Sequence, residues 1–387
     1  MTDMVKSADV VVIGGGVVGC STAYHISKLG VGNVVLLEKE LLLGTGSTSK
    51  AAGGIRQQFS TKINVEISKL SVSMFENFEE EMDCDAPFHQ KGYLILIDNE
   101  ELKELYAENI KMQNELGVKS HFITPQEVKE KVDQLYIDDI ICAAFCQEDG
   151  FADPNDITQG FAKGAKRNGA KILSQVEVTG IKTNNGKVQS IETNKGNIST
   201  PVVVDAAGPY CHLIGQMAGV DIPVRPYRRQ VFTSEPFSYI KDPMPMVVDP
   251  TLLYMHKESG GLLLGLADPN EPSSFNMTLD WDYLEKLVEI ALKRIPILEK
   301  AEISNGWAGL YSISPDHHSI LGHVPELDGF YCACGFSGHG FMHAPAAGLL
   351  VAEEIVKGKA ETLDISILNI TRFADGKKGL GSEKAVF

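Results

Sequence analysis

Three glycines and one acid mark the first chemistry legible in this sequence. Gly14-x-Gly16-x-x-Gly19 falls between the apolar run Val10-Val11-Val12-Ile13 and a segment, Val17 to Leu29, that reads as a helix ended by Gly30. An unbroken apolar run suits a parallel strand covered on both faces, and the glycines mark the turn after it. Gly14 permits a tight turn, Gly16 lets a pyrophosphate approach bare backbone, and Gly19 lets helix and strand pack closely. Val17 and Val18 open the helix, whose first N–H groups and partial positive charge suit a diphosphate. Glu38, followed by Lys39, closes a second apolar run, Val34 to Leu37. Its carboxylate can accept from ribose hydroxyls and would repel a 2′-phosphate, which disfavours NADP. Fingerprint, strand context and acid together predict a bound dinucleotide, with NAD and FAD both open at this point.

Other reactive residue types point to no second chemistry. The seven cysteines are scattered, an odd number, and Cys142, Cys146, Cys332 and Cys334 sit in apolar strand-like runs without a matching ligand set. No zinc or iron–sulfur site is expected, because closed sites need about four ligands. His317 and His318, beside Asp316, read as neighbours on a strand, facing opposite ways and structural in role. Glu79-Glu80-Glu81, with Asp83 and Asp85, reads as a solvated helix face.

These residues need a scaffold, and 387 residues suit two intertwined domains. Hydrophobic residues at 43% and charged residues at 22% describe a folded globular chain. A net charge of −16 argues against nucleic-acid binding, and no apolar run is long enough to span a bilayer. The first ten residues lack a signal-peptide layout, so the expected location is the cytoplasm, with reduced thiols. Apolar positions Ile67, Leu70, Met74, Phe78 and Met82 predict helix; Lys91 to Ile97 predicts a strand. Thr124-Pro125-Gln126-Glu127 has the form of a capped helix start. Strand–helix alternation returns from Pro154 to Val204 and again from Gly329 to Lys357, separated by strand-rich insertions. The expected fold is α/β, or α+β overall: a Rossmann-like dinucleotide domain plus a discontinuous substrate domain carrying a mixed, largely antiparallel sheet. The expected boundaries are 1–85, 147–225 and 319–387 for the first, and 86–146 and 226–318 for the second.

Three further stretches decide between the dinucleotides. They are Gly44-Thr45-Gly46-Ser47-Thr48-Ser49-Lys50-Ala51-Ala52-Gly53-Gly54-Ile55-Arg56, then Asp205-Ala206-Ala207-Gly208-Pro209-Tyr210, then Trp307-Ala308-Gly309-Leu310-Tyr311 through Ser314-Pro315-Asp316 to Gly335-Phe336-Ser337-Gly338-His339-Gly340. With the opening fingerprint they resemble the D-amino acid oxidase superfamily of FAD-dependent oxidoreductases. The likeness is closest to the branch of sarcosine, dimethylglycine and proline dehydrogenases and oxidases, which also holds the glycine oxidases. The resemblance implies FAD extended from the glycine turn to the last motif. It implies that Ser47, Thr48, Lys50, Ala51, Ala52 and Gly53 lie beside the diphosphate and flavin. It further implies that Val178, ending a strand, meets the adenine, and that Ala207 and Gly208 pass the cofactor again. Gly338, His339, Gly340, Phe341 and Met342 would lie near the flavin ring, with a helix from about Ala344 aimed at its N1–C2 edge. Some relatives attach flavin through Cys at the place of Gly309, others through His at the place of Lys50, so non-covalent FAD is implied. Leu263 replaces a flavin-facing Lys of monomeric sarcosine oxidases, which leans towards a dehydrogenase using a carrier rather than oxygen.

The same resemblance implies a small amino-acid substrate, oxidised at the carbon next to nitrogen by hydride transfer to flavin N5. Relatives hold its carboxylate with cations. Arg56 matches one of these, whereas Tyr311 and Met342 stand where others have Arg or Lys. Tyr254 and His256 are candidates to line the pocket, His256 being equally readable as a surface histidine. His339 is a candidate for flavin or substrate contact or for a local turn bond. The chain would act alone or as the catalytic subunit of a larger complex whose partner subunits complete the acceptor path. Two alternatives remain: a flavin-bearing assembly subunit without turnover, or a 2-hydroxy acid or glycerol-3-phosphate oxidoreductase on the same fold.

Overall fold

The computed structural model describes residues 5–384. Its first sheet has six strands in the order Ile320–His323, Phe330–Cys334, Val202–Asp205, Val10–Ile13, Val34–Glu38, Lys171–Ser174. All neighbours are parallel except the edge strand Ile320–His323. The buried valines and leucines of Val10–Ile13 and Val34–Glu38 explain their central position: both faces are covered, one by helices and one by an apolar layer under a three-stranded meander. The Val17–Lys28 helix packs against Gly340–Lys357 and Pro154–Arg167.

The second sheet has eight strands, in the order Ile303–Ile313, Arg225–Ser234, Gly261–Leu266, Leu253–Glu258, Met246–Val248, Tyr93–Ile97, Cys142–Cys146, His121–Ile123. Only Met246–Val248 with Tyr93–Ile97 is a parallel pair, so the sheet is mixed and largely antiparallel. Strands of the first sheet come from residues 10–38, 171–205 and 320–334, those of the second from 93–146 and 225–313. A chain that passes back and forth in this way leaves a cleft between the two sheets. The helix start at Thr124 carries the full reciprocal cap, with Thr124 and Glu127 each bonded to the other's backbone.

Four local expectations need correction. Lys171 to Val178 is not one strand: Gln175 turns the chain at φ 58°, and Val178 begins the next strand, Val178–Asn184. The last helix starts at Gly340, not near Ala344, and keeps Pro345 inside it. In the Lys62–Glu76 helix the buried stripe includes Ser68 and Ser71 rather than Leu70 and Met74. Those hydroxyls find partners on the last helix, Ser68 with His343 Nε2 at 2.8 Å and Ser71 accepting from Ala346 N at 3.2 Å. A polar stripe satisfied by another element is invisible to hydrophobic periodicity. Asp316 to His318 form a turn rather than a strand. His318 is buried there, bonded to Asp316 O and Thr61, and Arg372 chelates Asp316.

Candidate cofactor and substrate cleft

A continuous cavity of about 490 Å³ runs between the sheets from the glycine turn to a cluster of tyrosines. At the turn, Gly14 adopts φ +108°, and a Cβ on it would stand 2.5 Å from the Ala206 carbonyl oxygen. A Cβ on Gly19 would stand 1.9 Å from the Gly14 carbonyl oxygen, so helix and strand are as close as backbone allows. Gly14, Gly16, Val17 and Val18 line the cavity, while Gly19 lies behind them. Glu38 accepts from Gly15 N at 2.7 Å and Glu40 N at 2.8 Å, which binds the acid to the turn. Thr48 accepts from Val17 N at 3.1 Å and keeps its own proton for donation.

The loop from Ser47 to Gly53 closes this end. Ser47 donates to Leu310 O at 2.6 Å, and Trp307 Nε1 donates to Lys50 O at 3.1 Å. Ser47 is therefore occupied in fastening the loop to the second sheet. Gly309 lies under Lys50, where an added Cβ would stand 2.6 Å from the Lys50 Cβ. Lys50, Ala51, Ala52, Gly53, Lys39, Val178, Ala207 and Gly208 also line the cavity, with Lys39 Nζ 3.8 Å from the Tyr210 ring centre. Bare backbone at the turn, an acid beside it and a long walled cleft fit an extended adenine dinucleotide.

The far end is made of side chains. Cross-strand partners Tyr311 with Tyr227, Gly309 with Arg229, Val231 with Gly265, and Gly265 with Tyr254 put alternate residues on one face of the second sheet. From that face Tyr93, Met246, Tyr254, Arg229 and Tyr311 enter the cavity. Tyr93, Tyr254 and Tyr311 each press against a glycine. Added Cβ atoms would lie 2.6 Å from the Tyr93 hydroxyl at Gly54, 2.1 Å from the Tyr254 ring at Gly265, and 2.4 Å from the Tyr311 ring at Gly338. Burial raises the pKa of Tyr254 and Tyr311, so both are neutral phenols, with the Arg229 and Arg56 charges opposing the rise at Tyr311.

Arg56 is 2% exposed and lies 4.0 Å over the Phe59 ring; it donates to Gln58 O and sits 3.4 Å from His339 Nε2. Behind it, buried Asp149 accepts from Gln57 N at 2.9 Å and Gln58 Nε2 at 3.1 Å. Burial nevertheless pushes the Asp149 pKa up to about 6. His339 is 4% exposed and stands edge-on to Phe59. Burial, then the Arg56 charge, holds its pKa well below the ordinary value, so the imidazole is neutral. Gly338, Gly340, Phe341 and Met342 line the cavity beside it, at the positive end of the Gly340–Lys357 helix.

His256 is the residue that the structure moves away from the site. It is neither exposed nor in the cavity lining: its ring is fully buried, 4.5 Å from the Phe151 ring, with Nε2 3.0 Å from Ala52 O and Nδ1 2.8 Å from Lys257 O. Arg229 was missed. The pair Arg228-Arg229 on one strand was the available signal, since adjacent strand residues face opposite ways and one had to point inward. Among the described residues no group of His, Cys, Asp and Glu could hold a metal ion, and no helix is long and apolar enough to cross a membrane.

The dinucleotide cleft and its tyrosine-lined end define a flavin-type oxidoreductase architecture, and similarity to known proteins agrees. The family model for FAD dependent oxidoreductases (DAO) matches residues 9–354, and the chain belongs to that family. It is similar to the crystal structure of L-proline dehydrogenase from P. horikoshii, with 37% identity and a TM-score of 0.92 over 97% of this chain and 100% of that one. It is 32% identical over 384 residues to mitochondrial sarcosine dehydrogenase of Mus musculus, covering 95% of this chain but only 42% of that protein. Sarcosine oxidase subunit beta of Rhodobacter capsulatus is 27% identical, with coverage of 91% and 86%.

Proposed function

We propose that this chain oxidises a small amino acid, secondary or N-methylated at nitrogen, by hydride loss from the carbon next to that nitrogen, yielding an iminium, or the imine where an N–H proton can then leave. The observation that carries the reading is the continuous cleft, which joins a dinucleotide turn to a pocket of neutral phenols and guanidinium groups. The names of the relatives, which concern proline and sarcosine, support the substrate class. FAD supplies the two-electron acceptor for hydride.

The chain's own residues would bind, orient and exclude water. Gly14, Gly16, Val17, Val18, Glu38 and Thr48 would hold the diphosphate and ribose, with Lys39, Val178, Ala207 and Gly208 towards the adenine. Lys50 to Gly53 and Gly338 to Met342 would border the flavin, and the last helix's positive end would favour charge on the reduced ring. Arg56 would pair with the substrate carboxylate, and Tyr254 and Tyr311 would donate hydrogen bonds. Neutral His339 would face the pocket without repelling a cationic amine. Non-covalent attachment is supported by Gly309 and Lys50, neither of which is a cysteine or histidine that could bond the flavin. A carrier rather than oxygen as acceptor, a partner subunit, and the two-domain division at the boundaries given above belong to the same proposal.

The test is anaerobic mixing of FAD-loaded protein with L-proline, sarcosine, dimethylglycine and glycine. At least one is expected to bleach the visible flavin absorbance. Bleaching by 2-hydroxy acids alone, or by nothing in the presence of photoreducible flavin, rejects the proposal. Faster reoxidation by a dye than by air is expected for a dehydrogenase.

A further inference from the structure

We propose that Arg229 is a second cation of the substrate site, receiving the substrate's carboxylate, so that the pocket selects anionic amines over neutral ones. The inference rests on reading the cleft as an amine-oxidising site.

Alternation along Arg225–Ser234 sends the two adjacent arginines to opposite fates. Arg228 faces the other side of the sheet, where it is largely buried and held by both oxygens of Glu271, at 3.1 Å each. Arg229 faces the cavity. Its Nη1 donates to the Arg228 carbonyl at 2.9 Å, while its Nε is buried with no hydrogen-bond partner. Among the described residues it forms no ion pair. Withdrawing part of a guanidinium from water without a counter-ion is costly, and such a group is stabilised by whatever anion reaches it.

Its surroundings specify the anion. The Arg229 guanidinium carbon is 5.2 Å from the Tyr311 ring centre, and the charges of Arg229 and Arg56 both act on the Tyr311 hydroxyl. Tyr254 adds a second neutral phenol under the Arg229 charge. Two cations and two hydroxyl donors around one apolar cavity suit a carboxylate, which a guanidinium fork binds in its plane. Met342, where relatives of the sarcosine type have a lysine, then needs no replacement on its own helix. The second cation comes from the opposite sheet.

The experiment titrates FAD-loaded wild type, Arg229→Gln and Arg229→Lys with pyrrole-2-carboxylate and with its carboxamide. Neither ligand has a hydride to lose, and binding is read from the flavin absorbance shift. Carboxylate affinity is expected to fall about 10- to 100-fold in Arg229→Gln and to recover in part in Arg229→Lys, with carboxamide affinity and flavin content unchanged. Carboxylate binding within about twofold of wild type in Arg229→Gln overturns the proposal. Equal loss for both ligands also overturns it, as a merely structural effect, and so does loss of flavin, which would assign Arg229 to the cofactor. If Arg229→Gln does not fold, Arg229→Lys decides: its carboxylate-to-carboxamide preference must drop below that of wild type. Amine bleaching of wild type with unaltered carboxylate binding in the variants sinks this site and leaves the function standing. Carboxylate discrimination that depends on Arg229, without bleaching by any amine, does the reverse.

Discussion

At the glycine turn the cleft is walled by loops, residues 13–18, 37–40, 45–48, 50–54, 176–178 and 206–210, with bare backbone at the glycines, whereas the tyrosine end is lined by side chains from residues 56, 93, 229, 254, 311 and 339. The first wall works through what is missing, since any Cβ at Gly14 or Gly19 would strike a carbonyl oxygen. The second works through what is inserted. Three aromatic rings lie where glycines make room, and two arginines face an apolar cavity. Backbone walls tolerate no adjustment, while side-chain walls can relax, so damage to the two ends should differ in kind.

Among the substitutions, the largest effect is expected from Gly19→Ala. Its methyl group would lie 1.9 Å from the Gly14 carbonyl oxygen, which is backbone and cannot swing aside. A loss of about 3 kcal/mol or more in stability should accompany a collapse of the flavin-to-protein ratio. A variant with wild-type melting temperature and full flavin would refute the rigid-turn description.

Acid should weaken the whole fold rather than one end of the cleft. Buried His25, His256 and His343 have pKa values lowered, mainly by burial, to about 3, about 4 and about 3. In the unfolded chain each takes up a proton near the ordinary value of 6.5, so their stabilisation is complete above that pH and is lost as pH falls towards 4. Each contributes a slope of about 1.4 kcal/mol per pH unit. Asp149 runs oppositely: burial raises it from 3.8 to about 6, so it favours the folded state in acid and loses that contribution as pH rises through 6. These histidines, joined by buried neutral His339, outweigh Asp149 and Asp205, whose pKa burial also raises, and urea midpoints should drop between pH 6.5 and 4.5. A His256→Gln variant should drop less steeply; a flat profile for wild type would show that these rings are not buried neutral.

Gly265→Ala should be milder and confined to the tyrosine end. The added carbon would meet the Tyr254 ring at 2.1 Å, and the ring can swing aside. Flavin content should hold while kcat/KM falls about tenfold, roughly 1.4 kcal/mol. Equal loss of flavin would erase the distinction between the two ends. Smallest of all, Tyr311→Phe should raise KM about fivefold with kcat nearly unchanged, the worth of one hydrogen bond of about 1 kcal/mol. No change would remove its hydroxyl from the substrate contact.

Legibility followed the same division. The Gly14–Gly19 turn, Glu38 and the Thr124 cap could be read directly because each works through neighbours in sequence. The parallel and antiparallel sheets were foreshadowed by apolar runs and alternation. Val178 was misplaced by one element because Gln175 turns at positive φ without being glycine. The start of the last helix was placed late, near Ala344: the structure opens it at Gly340 and keeps Pro345 inside it. His256 was displaced from the site because alternation assigns a face but not a depth: it shares Tyr254's face, yet lies beyond the cavity against Phe151.

Composition and local pattern alone determined that this chain makes a dinucleotide turn and two kinds of sheet, because a strand–glycine–helix unit and an apolar period are properties of consecutive residues. Tertiary structure alone decided which side chains share the far pocket. Arg56, Arg229 and Tyr311 are separated by up to 255 residues, and their meeting depends on how a sheet returning through two insertions stacks over the first. Whether an arginine meets an acid on one face or a cavity on the other is set by that register, and no stretch of neighbours encodes it.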